Sequence, residues 1–68
     1  MKVEIGTRIK YWRQQRGLTQ DDLARITGVK YSTLAKIESN ITSNPRIESL
    51  QKIAAGLEIT IDELLKEE

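Results

Sequence analysis

The stretch TQDDLARITGVKYSTLAKIESN, residues 19–40, holds two short helical patterns that share one glycine corner. From Gln20 to Thr27, the residues Leu23, Ala24 and Thr27 fall at i, i+1 and i+4, the spacing of a half-buried helix. From about Tyr31 to Ser39, Leu34 and Ile37 make an inward face and leave Tyr31, Ser32, Thr33, Ala35 and Lys36 on the remaining arc. Thr19 is placed to cap the first helix, its hydroxyl accepting an orphan backbone N–H, with Asp22 at the reciprocal position of a capping box. Gly28 supplies the left-handed conformation that a Cβ would resist.

Helices this short do not persist alone in water. Each must be held against the other and against flanking helices, and two helices crossing over a tight glycine turn form a helix-turn-helix unit. Ala24 suits that crossing, because a small side chain lets the second helix pass close over the first.

The flanks read as helices too. Ile5, Ile9 and Trp12, at i, i+4 and i+7, predict a first helix from Val3 or Glu4 to Gln15. Trp12 continues that stripe and is read as core, not as a base-stacking platform. Gly17 ends the helix and Leu18 plugs in beside it. After the central stretch, residues 41–45 read as a loop, with Pro45 forbidding helix back through it. A fourth helix is expected from about Ile47 to Ala55, presenting Ile47, Leu50, Ile53 and Ala54 inward and stopping at Gly56. A fifth begins after Thr60, where Thr-Ile-Asp-Glu is a capping box with Glu63 at N3, and buries Ile61, Leu64 and Leu65. Leu57 and Ile59 fill the floor between helices, and the last residues, 66–68, should fray. The expectation is one all-α, five-helix domain over residues 1–68, with the motif at about 20–39.

With 68 residues there is room for one small domain. The chain has no Cys and no His, so thiolate metal sites and the commonest general base are both missing. No nucleophile with a base, metal cluster or phosphate loop can be assembled, so an enzyme is not expected, nor a metal, cofactor or small-molecule ligand. No apolar run approaches the roughly 20 residues that span a bilayer, and a soluble cytoplasmic protein is expected. The net charge of +1 conceals an asymmetry. Residues 1–46 carry nine basic side chains against four acidic, and residues 47–68 carry two against six, balances of +5 and −4. Such a distribution suits one surface meant for a polyanion and another kept off it. The alternative is ordinary solvated helix faces with no partner.

The sequence resembles the lambdoid phage repressor and Cro type of helix-turn-helix domain, also called the XRE family. The resemblance rests on IGTRIKYWR, GLTQDDLA, TGV, STLAKIE and PRIESLQKIAAGLEITIDELL, and runs without a gap from Ile5 to Leu65. It implies a lambda repressor-like fold whose recognition helix, residues 31–39, lies in the major groove of double-stranded DNA. Matched position by position, it implies that Lys30, Tyr31, Ser32, Thr33 and Lys36 face DNA. Gln20 would hold a phosphate or flanking base, and Asn40, Ser43 and Arg46 would form a phosphate-contacting loop and helix start. It implies an ion pair between Arg13 and Glu38; as exposed charges these would contribute only about 0–1 kcal/mol. It also implies a homodimer, at least on a near-palindromic operator, touching near Leu57, Glu58 and Ile59.

The residues suit the role: Lys donates to guanine, Ser or Thr to either kind of edge, and the Thr33 methyl can meet thymine. The simpler readings are that Tyr31 covers Ile26 or Val29 and that Ser32 and Thr33 merely bond the helix start. Three positions depart from the family: Asn40 stands where Gly is usual, Lys30 where a Ser or Thr cap is usual, and the loop carries Ile41 with no cation before Arg46. The expected function is transcription regulation, as a repressor-type protein. A protein-binding module, antitoxin-like or anti-regulator, using the same exposed helix, is the alternative.

Overall fold

Residues 4–41 and 45–66 are described by a computed structural model of the chain. They form five α-helices: α1 (Ile5–Gln15), α2 (Gln20–Thr27), α3 (Tyr31–Glu38), α4 (Ile47–Gly56) and α5 (Ile61–Leu65), with no strand among the described residues. The α1 pattern was read from Val3 or Glu4; Glu4 is the N-cap, and Val3 lies outside the described residues. So do Glu67 and Glu68.

Two starts follow the chemistry of their caps. Thr19 and Thr60 each accept the N–H of the residue three further on, Asp22 and Glu63, whose carboxylates accept the capping residue's own N–H in return. The ends follow a common device. At Gly17, Asn40 and Glu58 the chain turns left-handed, with φ of 68°, 64° and 61°. In each case the next N–H reaches back to the helix's third-last carbonyl: Leu18 to Arg13, Ile41 to Lys36 and Ile59 to Ala54. These are Schellman closures, two of them on residues with a Cβ. Gly56 was expected to stop α4, yet it lies inside the helix and the turn comes at Glu58. Its missing side chain serves packing: a Cβ there would come within 2.5 Å of the Thr27 Cγ2 on α2.

Helix α3 packs on α1 and α2, α4 on α2 and α5, and α5 on α1. Ile9, Leu23, Leu34, Ile37, Ile53, Leu57 and Leu64 are fully buried where these helices meet, with Ala24, Val29, Leu50 and Ala54 nearly so. Ile5, Trp12, Leu18, Ile59 and Ile61 pack against this cluster from its edge. Two residues expected inside are out. Ile47 is 59% exposed: its spacing continues the stripe of Leu50, Ile53 and Ala54, but periodicity does not say where the facing helix stops. Leu65 is also exposed, since Leu64 takes the inward position and adjacent helical residues point about 100° apart. Leu57, conversely, is too deep to touch a second subunit through its side chain, which leaves Glu58 and Ile59 of the expected contact.

Candidate nucleic-acid interface

The exposed arc of α3 is set by what lies beneath it. Leu34 and Ile37 are locked in the core, so Lys30, Tyr31, Ser32, Thr33 and Lys36 all face outward. Tyr31 is 52% exposed, which tells against its being a mere cover for Ile26 or Val29. Lys30, in the N-cap position, makes no side-chain capping bond, so the first amides of α3 have no partner from that side chain. Arg46 stands likewise at the N-cap of α4, exposed and without a capping bond. Ser43 lies outside the described residues.

The other expected contacts are engaged within the fold. Gln20 is half-buried, and its Nε2 donates to Glu38 Oε1 at 3.2 Å. The Asn40 Oδ1 accepts the Gly6 N–H at 3.1 Å, so this residue binds α1 rather than simply lining the loop. Arg13 and Glu38 do pair, with Nε to Oε2 at 2.8 Å, but with side chains only 12% and 2% exposed. The surface pair expected from sequence is therefore a buried one, in which a third Arg13 nitrogen also donates to the Leu18 carbonyl at 2.7 Å.

Two more arginines counted toward a polyanion-facing surface are internal ties. Arg16 Nε donates to the Leu57 carbonyl at 2.8 Å while its guanidinium lies over the Trp12 ring, and Arg8 donates to the carbonyls of Glu63 and Leu64. Arg25 pairs with Asp22 at 2.6 Å on the surface of α2. Asp22 itself titrates below the usual carboxylate value of 3.8, because the Thr19 backbone N–H and then its hydroxyl hold the charged form, with Arg25 adding attraction. Of the cations in or just beside the motif, Arg25 is exposed but paired with Asp22, while Lys30, Lys36 and Arg46 stand exposed on or near the outward side of α3 and the start of α4. The arginine ties had no signal in periodicity. Gly6 did carry one: a glycine inside a helical pattern lowers stability by about 1 kcal/mol and implies a packing reason.

Among the described residues no helix is long and apolar enough to cross a membrane, and no group of three metal-binding side chains is found. The transcriptional regulator SinR of Bacillus subtilis is 41% identical over 63 residues, covering 93% of this chain and 57% of that protein. The immunity repressor of Bacillus phage phi105 is 38% identical over 66 residues, 97% of this chain and 45% of that protein. The chain thus spans about half the length of these relatives. A crystal structure of SinR in complex with DNA superposes with a TM-score of 0.87 at 40% identity, covering 91% of this chain and 98% of that one. With five helices in this order, a capped and glycine-cornered motif at their centre and the family profile matching residues 9–64, the chain belongs to the HTH_3 helix-turn-helix family.

Proposed function

We propose that residues 1–68 form one domain that binds double-stranded DNA sequence-specifically and regulates transcription, a binding protein and not an enzyme. The observation that carries this reading is the outward arc of α3. Hydrogen-bonding and cationic side chains stand at Lys30, Tyr31, Ser32, Thr33 and Lys36 on a helix fixed from below by Leu34 and Ile37. An α-helix with such an arc fits the major groove, where each base pair offers a distinct set of donors and acceptors. The SinR complex with DNA supports the same use of the same fold.

In this reading Tyr31, Ser32, Thr33 and Lys36 reach base edges, while Lys30, Gln20 and Arg46, and Ser43 as the resemblance implies, meet the backbone; Asn40, whose Oδ1 is held by the Gly6 N–H, ties α3 to α1 instead. Gln20 keeps a second amide hydrogen for a phosphate beyond the one given to Glu38. Two subunits would bind a near-palindromic operator, meeting at Glu58 and Ile59.

Selection of bound sites from a random duplex pool tests this. The expected product is two inverted half-sites whose centres lie about 10–10.5 base pairs, or a multiple, apart. A pool that shows no enrichment would refute the reading and favour a protein partner for the same helix.

A further inference from the structure

The last turn of α3 rests on the first turn of α1 at a joint that local sequence does not complete. Glu4, the N-cap of α1, makes no side-chain capping bond. The Gly6 N–H, one of the orphan donors of that first turn, is taken instead by Asn40 Oδ1 from 34 residues away. Asn40 reaches it because its backbone is left-handed at φ 64°, with its own N–H returned to the Ile37 carbonyl at 3.1 Å. On the other side of the joint, a Cβ on Gly6 would collide with the Ile37 carbonyl and come within 2.7 Å of the Glu38 carbonyl. The amide end of α1 therefore meets the carbonyl end of α3 at close range, an arrangement that helix dipoles favour. Glycine at position 40 would make the turn more easily but would supply no acceptor. Asparagine does both.

We infer that Asn40 is a positioning residue for base reading: by tying the end of α3 to Gly6, it sets the angle at which the exposed arc enters the groove. The inference rests on the DNA-binding reading above. Helix α3 has eight residues, about 12 Å of length, and its two fully buried contacts, Leu34 and Ile37, lie within one turn of each other. Such a short row holds the helix down but resists tilting poorly. Beyond that row two ties to α1 resist tilting, the buried Glu38–Arg13 pair and, two residues further on, the Asn40–Gly6 bond. Base-edge hydrogen bonds weaken steeply with misalignment, whereas attraction to phosphates is less directional. Loss of the tie should thus harm discrimination and spare binding to arbitrary sequence.

The test compares wild type, Asn40→Gly and Asn40→Asp, well below their melting temperatures, on a selected duplex and on one of scrambled sequence across a salt series. A lowered folded fraction would weaken both duplexes equally and leave their ratio unchanged, so the ratio isolates positioning. Asn40→Gly keeps the left-handed turn and loses only the side chain; its preference should fall on the order of tenfold, with scrambled-site affinity and salt slope like wild type. Asn40→Asp keeps the acceptor and should keep the ratio, although its negative charge weakens both duplexes alike. Without DNA, hydrogen exchange at the Gly6 amide should quicken in Asn40→Gly and stay slow in Asn40→Asp.

An Asn40→Gly protein that discriminates as well as wild type would overturn the inference, as would an Asn40→Asp protein that loses as much preference. An Asn40→Gly protein that loses affinity for both duplexes to the same extent, with preference intact, would make Asn40 a phosphate ligand only and would overturn the inference too. A wild type that prefers no duplex would instead remove the DNA reading itself, a distinct result.

Discussion

Arg13 on α1 and Glu38 at the end of α3 meet through two parallel contacts, Nε to Oε2 at 2.8 Å and Nη2 to Oε1 at 3.1 Å. Glu38 Oε1 also accepts from Gln20, and Arg13 Nη1 donates to Leu18, so four segments converge on one ion pair. Removing one partner of a buried pair costs about 3–5 kcal/mol, because the other charge is stranded. A domain of this size draws only about 3–5 kcal/mol from its core. Arg13→Ala should accordingly be largely unfolded, and Arg13→Met with Glu38→Leu should recover much of the loss. Urea denaturation decides it; a single variant within about 1 kcal/mol of wild type would mean the pair behaves as a surface bridge.

Gly6→Ala should be destabilising for a different reason. The new methyl meets backbone carbonyls of Ile37 and Glu38, which have no rotamer with which to yield. Overpacking of this kind costs about 1–3 kcal/mol, and a thermal melt should fall by many degrees. An unchanged melt would place α1 and α3 further apart than described.

Glu58 offers the opposite opportunity. It holds φ 61° with an exposed side chain, a conformation that costs an ordinary residue about 1–2 kcal/mol and glycine almost nothing. Glu58→Gly should stabilise the monomer by about 0.5–1 kcal/mol after the greater unfolded-state freedom of glycine is subtracted. Calorimetry showing a lower melting temperature would contradict this.

The pH dependence has a sign fixed by Asp22. Its pKa is lowered in the folded chain, so the unfolded state binds the proton more readily and stability rises with pH across that interval. The stabilisation is complete above the ordinary carboxylate value of 3.8 and disappears as pH falls through the lower folded value. Asp22→Asn should therefore differ most from wild type near neutrality and converge with it in strong acid. Denaturation curves that stay equally separated at every pH would exclude this origin.

On DNA, Tyr31 and Lys36 should behave unlike Arg46. Tyr31→Ala and Lys36→Ala should each cost about 1–3 kcal/mol on the preferred site and relax preference at particular base pairs. Arg46→Ala should weaken all sequences alike and reduce the log K against log salt slope by about one. Binding isotherms showing the reverse pattern would overturn the assigned docking.

Local chemistry made much of this structure readable in the chain. Thr19 with Asp22 and Thr60 with Glu63 are capping boxes by residue type and spacing, and Leu34 with Ile37 is a buried face by period alone. What escaped was geometry between distant segments. Ile47 and Leu65 carry the right hydrophobicity at positions where the opposing helix has ended or turned away. Arg8 and Arg16 look like surface charges until the carbonyl ends of α5 and α4 are seen beside them, and Arg13 until the Glu38 carboxylate and the Leu18 carbonyl are. Gln20, expected on a phosphate or flanking base, and Asn40, expected on a phosphate, each have a bond inside the fold that no spacing rule encodes.

Those arginines have a consequence for the way the domain comes apart. From α1 and its C-cap they reach the carbonyls of α5 at residues 63 and 64, of the α4 end at 57, and of the turn before α2 at 18. A five-residue helix such as α5 would ordinarily fray independently. Here its release would strip Arg8 on α1 of both carbonyl acceptors, so α5 is held in place by the first helix. Amide exchange at the Leu64 N–H, bonded to the Thr60 carbonyl, should therefore quicken when Arg8 is replaced by Ala, although Arg8 lies 56 residues away.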